Sequence, residues 1–394
     1  MRSLRLTIAS SVGNFAGWVS RFSGRGRGET IRGRVLLALH PDALEELADK
    51  RDIILVSGTN GKTTTTANLA KILEFGTDEQ VSTSTFGANM AAGIASVLMD
   101  KPAHRLVVLE CDELYLPAMY DALAPKVIVL LNLSRDQLHR TGEVRKVANL
   151  WRSTFTKDDV TLVIDRDDPF LEFAAGAAGH VLRVTFGGRR HPDAATCPAC
   201  GELISWVSGD YRCTCGLGSE LAQVRGDARL SGPARNTVLA IEAVRLMGGV
   251  VPVEYAQDLI EQAPDRVAKF QVAETTLETR LAKNPESWRA ALTAITAPNV
   301  ILVVNARGID GLDTSWLWDV DYTALLGKHV VCTGERRLDA AYRLHVQGMD
   351  VEVASDVATA VTITGPDVQV IASYTAFQDL AAMNLGLRHS GGRS

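Results

Sequence analysis

Three groups of residues in this sequence have types and spacings that can do chemistry. The first is Gly58-Thr59-Asn60-Gly61-Lys62-Thr63-Thr64, which follows the apolar run Ile53-Ile54-Leu55-Val56 and opens a helical stretch reaching to about Leu73. Glycines let backbone N–H groups approach phosphate oxygens, and a helix N-terminus adds partial positive charge. Lys62 can then reach the outer phosphates, and the Thr63 hydroxyl can ligate Mg²⁺. Counted from Gly58, the spacing is shorter than the usual G-x-x-x-x-G-K-[ST] pattern, but strand before and helix after are the context a nucleotide site requires.

The second group is Cys197-Pro-Ala-Cys200-Gly201 and Cys213-Thr-Cys215-Gly216. Four thiols within 19 positions, in two tight pairs with trailing glycines, predict a tetrahedral Zn²⁺ site. With all four coordination places filled by protein, its role is structural. The remaining cysteines, Cys111 and Cys332, stand in apolar runs and read as inert core residues.

The third group is acidic. Glu110 ends the apolar run Leu106–Leu109, and in open α/β sheets ligands gather at the carboxyl ends of strands. A carboxylate there can hold Mg²⁺. The neighbours Asp112 and Glu113 are weaker candidates for the same role and read more simply as solvated loop acids. Asp310-Gly-Leu-Asp313 follows the run 300–304, and from the residues alone is as easily an Asp-Gly turn.

These groups need a scaffold, and the hydrophobic pattern supplies one. Apolar β-type runs at 53–56, 106–109, 127–131, 160–164 and 181–186 alternate with helical stretches, predicting a mostly parallel α/β sheet covered on both faces. Residues 187–226 break the pattern and read as an insertion carrying the cysteines. A helix resumes at 236–247, a boundary falls near 262–270, and the runs 300–304, 329–332 and 368–371 predict a second, smaller Rossmann-like α/β domain. The expected organisation is therefore a leader (1–40), a central ATPase domain (41–265, insertion about 188–226) and a C-terminal domain (266–394).

Composition excludes other classes. A formal charge of −5 over 394 residues gives no basic field for nucleic acid. No apolar run is long enough to span a bilayer, and Gly13, Asn14 and Gly17 interrupt any signal-peptide core, so a cytoplasmic protein is expected. Residues 1–40 carry seven Arg against the single acid Glu29. Leu4, Ile8, Val12, Phe15, Val19 and Phe22 form one face of a helix there. Such a face packs inward onto protein in most helices, and on a basic helix it can also rest on the inner face of a membrane.

The loop G-T-N-G-K-T-T resembles that of Mur ligases and folylpolyglutamate synthetases. These enzymes phosphorylate a carboxylate and let an amine attack the acyl phosphate. Glu110 stands where Mur ligases place a metal-binding Glu, and Asn236 where they carry an Asn that contacts the nucleotide base. Arg135, Asp136, Gln137, Arg140, Gly142 and Glu143 resemble a segment of one branch, the MurT-type ATPase subunits of lipid II isoglutaminyl synthases, with His139 in place of an Asp. The cysteine ribbon, the stretch Leu281-Ala-Lys283-Asn284-Pro285 and Asp310-Gly-Leu-Asp313-Thr-Ser-Trp316 are similar to the same branch.

The resemblance implies ATP- and Mg²⁺-dependent amidation of the D-glutamate α-carboxyl of lipid II, with ammonia from a separate GatD-type glutaminase. It implies that Asp313 reaches that partner and orients its catalytic His. Two rivals remain: a ligase that joins an amino acid unaided, as other Mur ligases and folylpolyglutamate synthetases do, and a nucleotide-sensing zinc-ribbon scaffold without turnover.

Overall fold

The computed structural model describes residues 3–22, 29–84, 88–100, 103–136, 138–156, 159–187, 190–263, 267–272, 274–307 and 314–384. Asp310, Asp313 and Gln137 lie outside them, as does the His139 side chain. The chain divides into two compact units. The first is Met1–Ser134 with Glu143–Ala263, and the second is Arg135–Gly142 with Pro264–Ser394.

Unit 1 opens with three helices, α1 (Leu4–Phe22), α2 (Glu29–Leu39) and α3 (Ala43–Ala48). Its sheet contains β1 (Asp52–Ser57), β2 (Val81–Thr83), β3 (Leu106–Glu110), β4 (Val127–Leu130), β5 (Thr161–Asp165) and β6 (His180–Thr185). A hairpin, β7 (Ser205–Val207) with β8 (Asp210–Arg212), precedes the last strand, β9 (Val224–Arg225). The sheet order is β2-β3-β1-β4-β5-β6-β9, and every pairing is parallel.

Parallel strands need crossovers, so both faces of the sheet are covered and its central strands are apolar throughout. Successive side chains alternate between two cores. Ile53 and Leu55 of β1, with Val107 and Leu109 of β3, enter one. Ile54 and Val56, with Leu106 and Val108, enter the other beside helix α4 (Lys62–Thr77) and helix Gly232–Leu246. The cysteine-bearing insertion sits between β6 and β9. Because β9 pairs with β6, the main sheet resumes at Val224, inside the stretch read from sequence as inserted.

Unit 2 holds β10 (Val267–Val272), β11 (Thr275–Leu281), β12 (Asn299–Val303), β13 (His329–Thr333), β14 (Glu352–Val353) and β15 (Val368–Ala372). The order is β10-β11-β15-β12-β13-β14, antiparallel only at β10–β11. Val300 and Leu302 face one core, Ile301 and Val303 the other. The hairpin β10–β11 lies partly in the stretch that sequence reads as a polar boundary.

Candidate functional site

Strands β3, β1 and β4 are neighbours, and their carboxyl ends carry Glu110, the phosphate loop and Asn132. The phosphate loop leaves β1 and becomes α4 at Lys62. Gly58 (φ +136°) and Gly61 (φ +91°) adopt backbone conformations that L side chains avoid. A Cβ at Gly58 would lie 2.9 Å from the Asn132 carbonyl oxygen, and one at Gly61 would lie 2.2 Å from Asn236 Nδ2. Both glycines are therefore fixed by conformation and by space. The second contact also brings Asn236 to the loop, where the resemblance expects it.

Asn132, just past β4, clamps the loop from the neighbouring strand. Its Oδ1 accepts from Asn60 N at 2.9 Å, its Nδ2 donates to Asn60 O at 2.9 Å, and its carbonyl accepts from Thr59 N at 2.9 Å. The Thr59 hydroxyl donates to Ser134 O at 3.2 Å and accepts from Ser134 N at 3.0 Å. At the start of α4, Thr63 is exposed and Thr64 half-buried, and the first turn carries no acid. A helix start has N–H groups without intrahelical partners, so this end favours an anion.

Lys62 is not extended into solvent. Its ammonium donates to Gly58 O at 2.5 Å and to Glu113 Oε1 at 2.8 Å. Glu113 and Asp112 are buried, which corrects their reading as solvated loop acids. The reason is tertiary: the Glu113 carbonyl accepts from the Trp151 indole at 2.9 Å, and Asp112 N donates to Asn89 O, so the loop after β3 folds back under the site.

Glu110 is 3% exposed. Its Oε1 accepts from Asn89 Nδ2 at 3.4 Å, and its Oε2 has no hydrogen-bond partner among the described residues. A buried carboxylate oxygen without a donor is costly, and a cation is the usual remedy. The donor set of Glu110 and Thr63, all oxygen, suits a hard divalent ion.

The four cysteine sulfurs lie within 4.8 Å of one another. Cys197 and Cys215 are 3.6 Å apart, and Cys200 and Cys213 are 3.3 Å apart. Tetrahedral Zn–S bonds place sulfurs about 3.8 Å apart, so the cluster has the dimensions of such a site. Gly201 N donates to Cys197 O and Gly216 N to Cys213 O, closing two tight turns that need the positive φ of Gly201 and Gly216. By contrast Cys111 and Cys332 are fully buried, and burial pushes the Cys332 thiol up to about 12.

In unit 2 the segment containing Asp310 and Asp313 is outside the described residues, but its flanks are pinned. Asn305 Nδ2 donates to Asp379 Oδ2 at 2.8 Å, and Arg307 bonds both Asp379 (2.6 Å) and Glu335 (2.5 Å). On the other side the Thr314 hydroxyl accepts from Arg336 at 3.2 Å. Lys283 pairs with Asp136 at 2.8 Å, and Asn284 caps the helix Pro285–Thr293 through a reciprocal capping box with Ser287. Sequence reasoning missed Asn132, Ser134 and Asn89. For Asn132 the signal was a polar residue directly after the apolar run 127–131; Asn89 and Ser134 carried no comparable one.

Comparison with known proteins places this site in a family. Residues 56–196 match the Mur ligase middle domain, and residues 281–377 match the MurT ligase C-terminal domain. The chain is 28% identical to the lipid II isoglutaminyl synthase (glutamine-hydrolyzing) subunit MurT of Streptococcus pneumoniae, over 96% of this chain and 98% of that one. It is 27% identical to the subunit of the same name from Staphylococcus aureus, over 89% and 90% of the two chains. In fold it is similar to MurF ligase from Thermotoga maritima in complex with ADP, with TM-score 0.60, 15% identity, and 90% and 84% of the two chains covered. With the two family domains in order and full-length relatives of one kind, this chain is a ligase that belongs to the Mur ligase family, in its MurT branch.

Proposed function

We propose that this protein is the ATP-hydrolysing subunit of a two-subunit lipid II isoglutaminyl synthase, converting the D-glutamate α-carboxyl of the stem peptide to the amide. The carboxylate oxygen attacks the γ-phosphorus of ATP, and the bond to the β-phosphate oxygen breaks, releasing ADP and leaving an acyl phosphate. The nitrogen of ammonia then attacks the acyl carbon. The C–O bond to phosphate breaks, phosphate departs, and the nitrogen loses a proton.

The chain's own residues account for the first step. Backbone N–H groups from Gly61 to Thr64, at the start of α4, hold the phosphates, while those of Thr59 and Asn60 are held by Asn132. Lys62 moves from Glu113 to the transferring phosphoryl group, where fixed positive charge favours the transition state. Asn236, beside Gly61, fixes the nucleotide from the other side. Glu110 and Thr63 would hold Mg²⁺, which would supply positive charge to the phosphates. Zn²⁺ on Cys197, Cys200, Cys213 and Cys215 holds the ribbon together and takes no part in the reaction.

A GatD-type glutaminase supplies the ammonia, and Asp313 orients its catalytic His. Cys111, buried and with its thiol raised by desolvation and three nearby carboxylates, offers no nucleophile for glutamine hydrolysis in this chain. The protein works in the cytoplasm, at the inner face of the membrane that holds its substrate. The observation that carries this reading is the unpartnered Glu110 oxygen one strand away from the phosphate loop, in a chain similar from end to end to glutamine-hydrolysing relatives.

The test is amidation of lipid II by the purified chain with ATP and Mg²⁺. Product from ammonium but not from glutamine, with glutamine use restored by a glutaminase subunit, is expected. Addition of an amino acid to a carboxylate acceptor by the chain alone would overturn it.

A further inference from the structure

Helix α1 is oriented opposite to what its composition leads one to expect. The face packed on the rest of unit 1 consists mainly of small residues: Ala9, Gly13, Gly17 and Ser20, with Leu6 the one large side chain. Gly13 shows why. A Cβ there would lie 2.8 Å from the Arg32 carbonyl oxygen of α2. Close helix packing therefore uses the small face, and the large apolar stripe from Leu4 to Phe22 points outward. Ile8 is 56% exposed, Phe15 64%, Trp18 56% and Phe22 85%. Phe15, Trp18 and Phe22 form a stacked row, with ring centroids 6.0 and 5.8 Å apart. A contiguous apolar face of this size is rare on a protein surface left to water.

Charge selects what covers it. Residues 1–40 contain seven arginines and one acid. Arg32 is neutralised by Asp100 at 2.6 Å, while Arg5 and Arg34 are exposed. In sequence Arg21 lies between Trp18 and Phe22, and Arg25 and Arg27 follow them. Aromatic residues with arginines close by in sequence suit the boundary between acyl chains and anionic headgroups. No helix of the described residues is long and apolar enough to cross a membrane, so α1 can lie on a bilayer and not span it. We infer that the outward face of α1 is a docking surface for an anionic lipid bilayer, with Phe15, Trp18 and Phe22 inserted at the headgroup level.

The face and its charge carry this independently of the proposed reaction. The test is flotation of the full chain with vesicles free of lipid II, made either of phosphatidylcholine alone or with phosphatidylglycerol. Binding is expected only with phosphatidylglycerol and should weaken with salt. The variant F15S/W18S/F22S alters side chains that point away from the fold. It should keep the wild-type melting temperature and bind about tenfold or more weakly.

Several results would overturn the assignment: no wild-type binding to either vesicle, equal binding by the variant, a dimer that the variant splits, or glutaminase association lost in the variant. Amidation of a water-soluble, short-chain substrate should be unchanged by the triple substitution. If wild type binds vesicles yet amidates nothing, the proposed reaction fails and the docking surface stands.

Discussion

The phosphate loop and the cysteine ribbon are both built on glycine turns in unit 1, yet they are held in opposite ways. The loop lies at the centre of a seven-stranded sheet and is clamped by Asn132 and Ser134 from the next strand. Its shape is fixed before any ligand arrives. The ribbon has only a two-stranded sheet, β7–β8, and much of its surface is open, with Leu203 76% and Val207 66% exposed. Its buried residues Ala194, Ile204 and Tyr211 join the core of unit 1, and the proposed metal on its four thiols would add the rest of its stability. The loop is a site that the fold makes. The ribbon is an element that the proposed zinc would complete.

Substituting Lys62 gives the largest expected effect and the sharpest test of the loop's independence. Lys62→Ala should lower the amidation rate by roughly 10³-fold, because the transferring phosphoryl group loses its fixed charge. The melting temperature should fall as well, because the buried Glu113 carboxylate loses its cation. The double variant Lys62→Ala/Glu113→Gln removes that charge and should recover the melting temperature but not the rate; a collapse that persists in it would show that Lys62 supports the loop's shape, and the contrast with the ribbon would fail.

The ribbon should respond the other way. Cys213→Ser, or removal of zinc by a chelator, should lower the melting temperature by about 5 °C or more, with loss of one zinc per chain by elemental analysis. The Cys213 thiol is already lowered to about 6 by the backbone N–H of Cys215, so one ligand is prepared to bind as thiolate. Zinc content near zero in freshly purified, reduced protein would remove the metal from the comparison altogether.

Asn132→Ala asks how much of the loop's order comes from its neighbour strand. It removes two side-chain hydrogen bonds to Asn60. The loss should weaken nucleotide binding by about tenfold, on the order of one buried hydrogen bond left unmade. Unchanged ATP affinity by calorimetry would mean that the glycine geometry alone suffices.

These two regions were legible in sequence to different depths. The glycines of the loop and the spacing of the cysteines are local signals, as are the apolar runs that became β1, β3 and β4. What sequence could not supply were partners far away along the chain: Glu113 on Lys62 at a separation of 51 residues, and Asn132 on Asn60 at 72. The periodicity of α1 was equally plain, but a period defines a stripe and not the direction it faces. That direction follows from the close approach of Gly13 to α2, which is a packing fact. The hairpin β10–β11 was missed because its polar outer residues mask a strand, as Val267–Val272 buries only Phe270.

The smallest expected effect concerns the turn that joins the two regions. Asp168 Oδ2 accepts from Leu133 N at 2.9 Å, next to the Asn132 clamp, while Arg166 donates to Glu220 O at 2.7 Å and to Asp210 at 2.5 Å in the ribbon. Asp165 opens this turn, and burial, with Asp167 nearby, pushes its carboxyl up to about 7. A carboxyl with a raised folded-state pKa holds its proton between the unfolded value near 4 and about 7, so folding is favoured at low pH and loses that contribution as pH rises through this window. Asp165→Asn keeps the shape and the acceptor for Asp167 N without the charge. Relative to wild type, the variant should gain melting temperature progressively from about pH 4 to 7, level off above it, and reach a difference of about 5 °C or less. A difference that stays constant across this range would mean that Asp165 does not titrate there, and that the Arg235 guanidinium 3.9 Å away holds it charged.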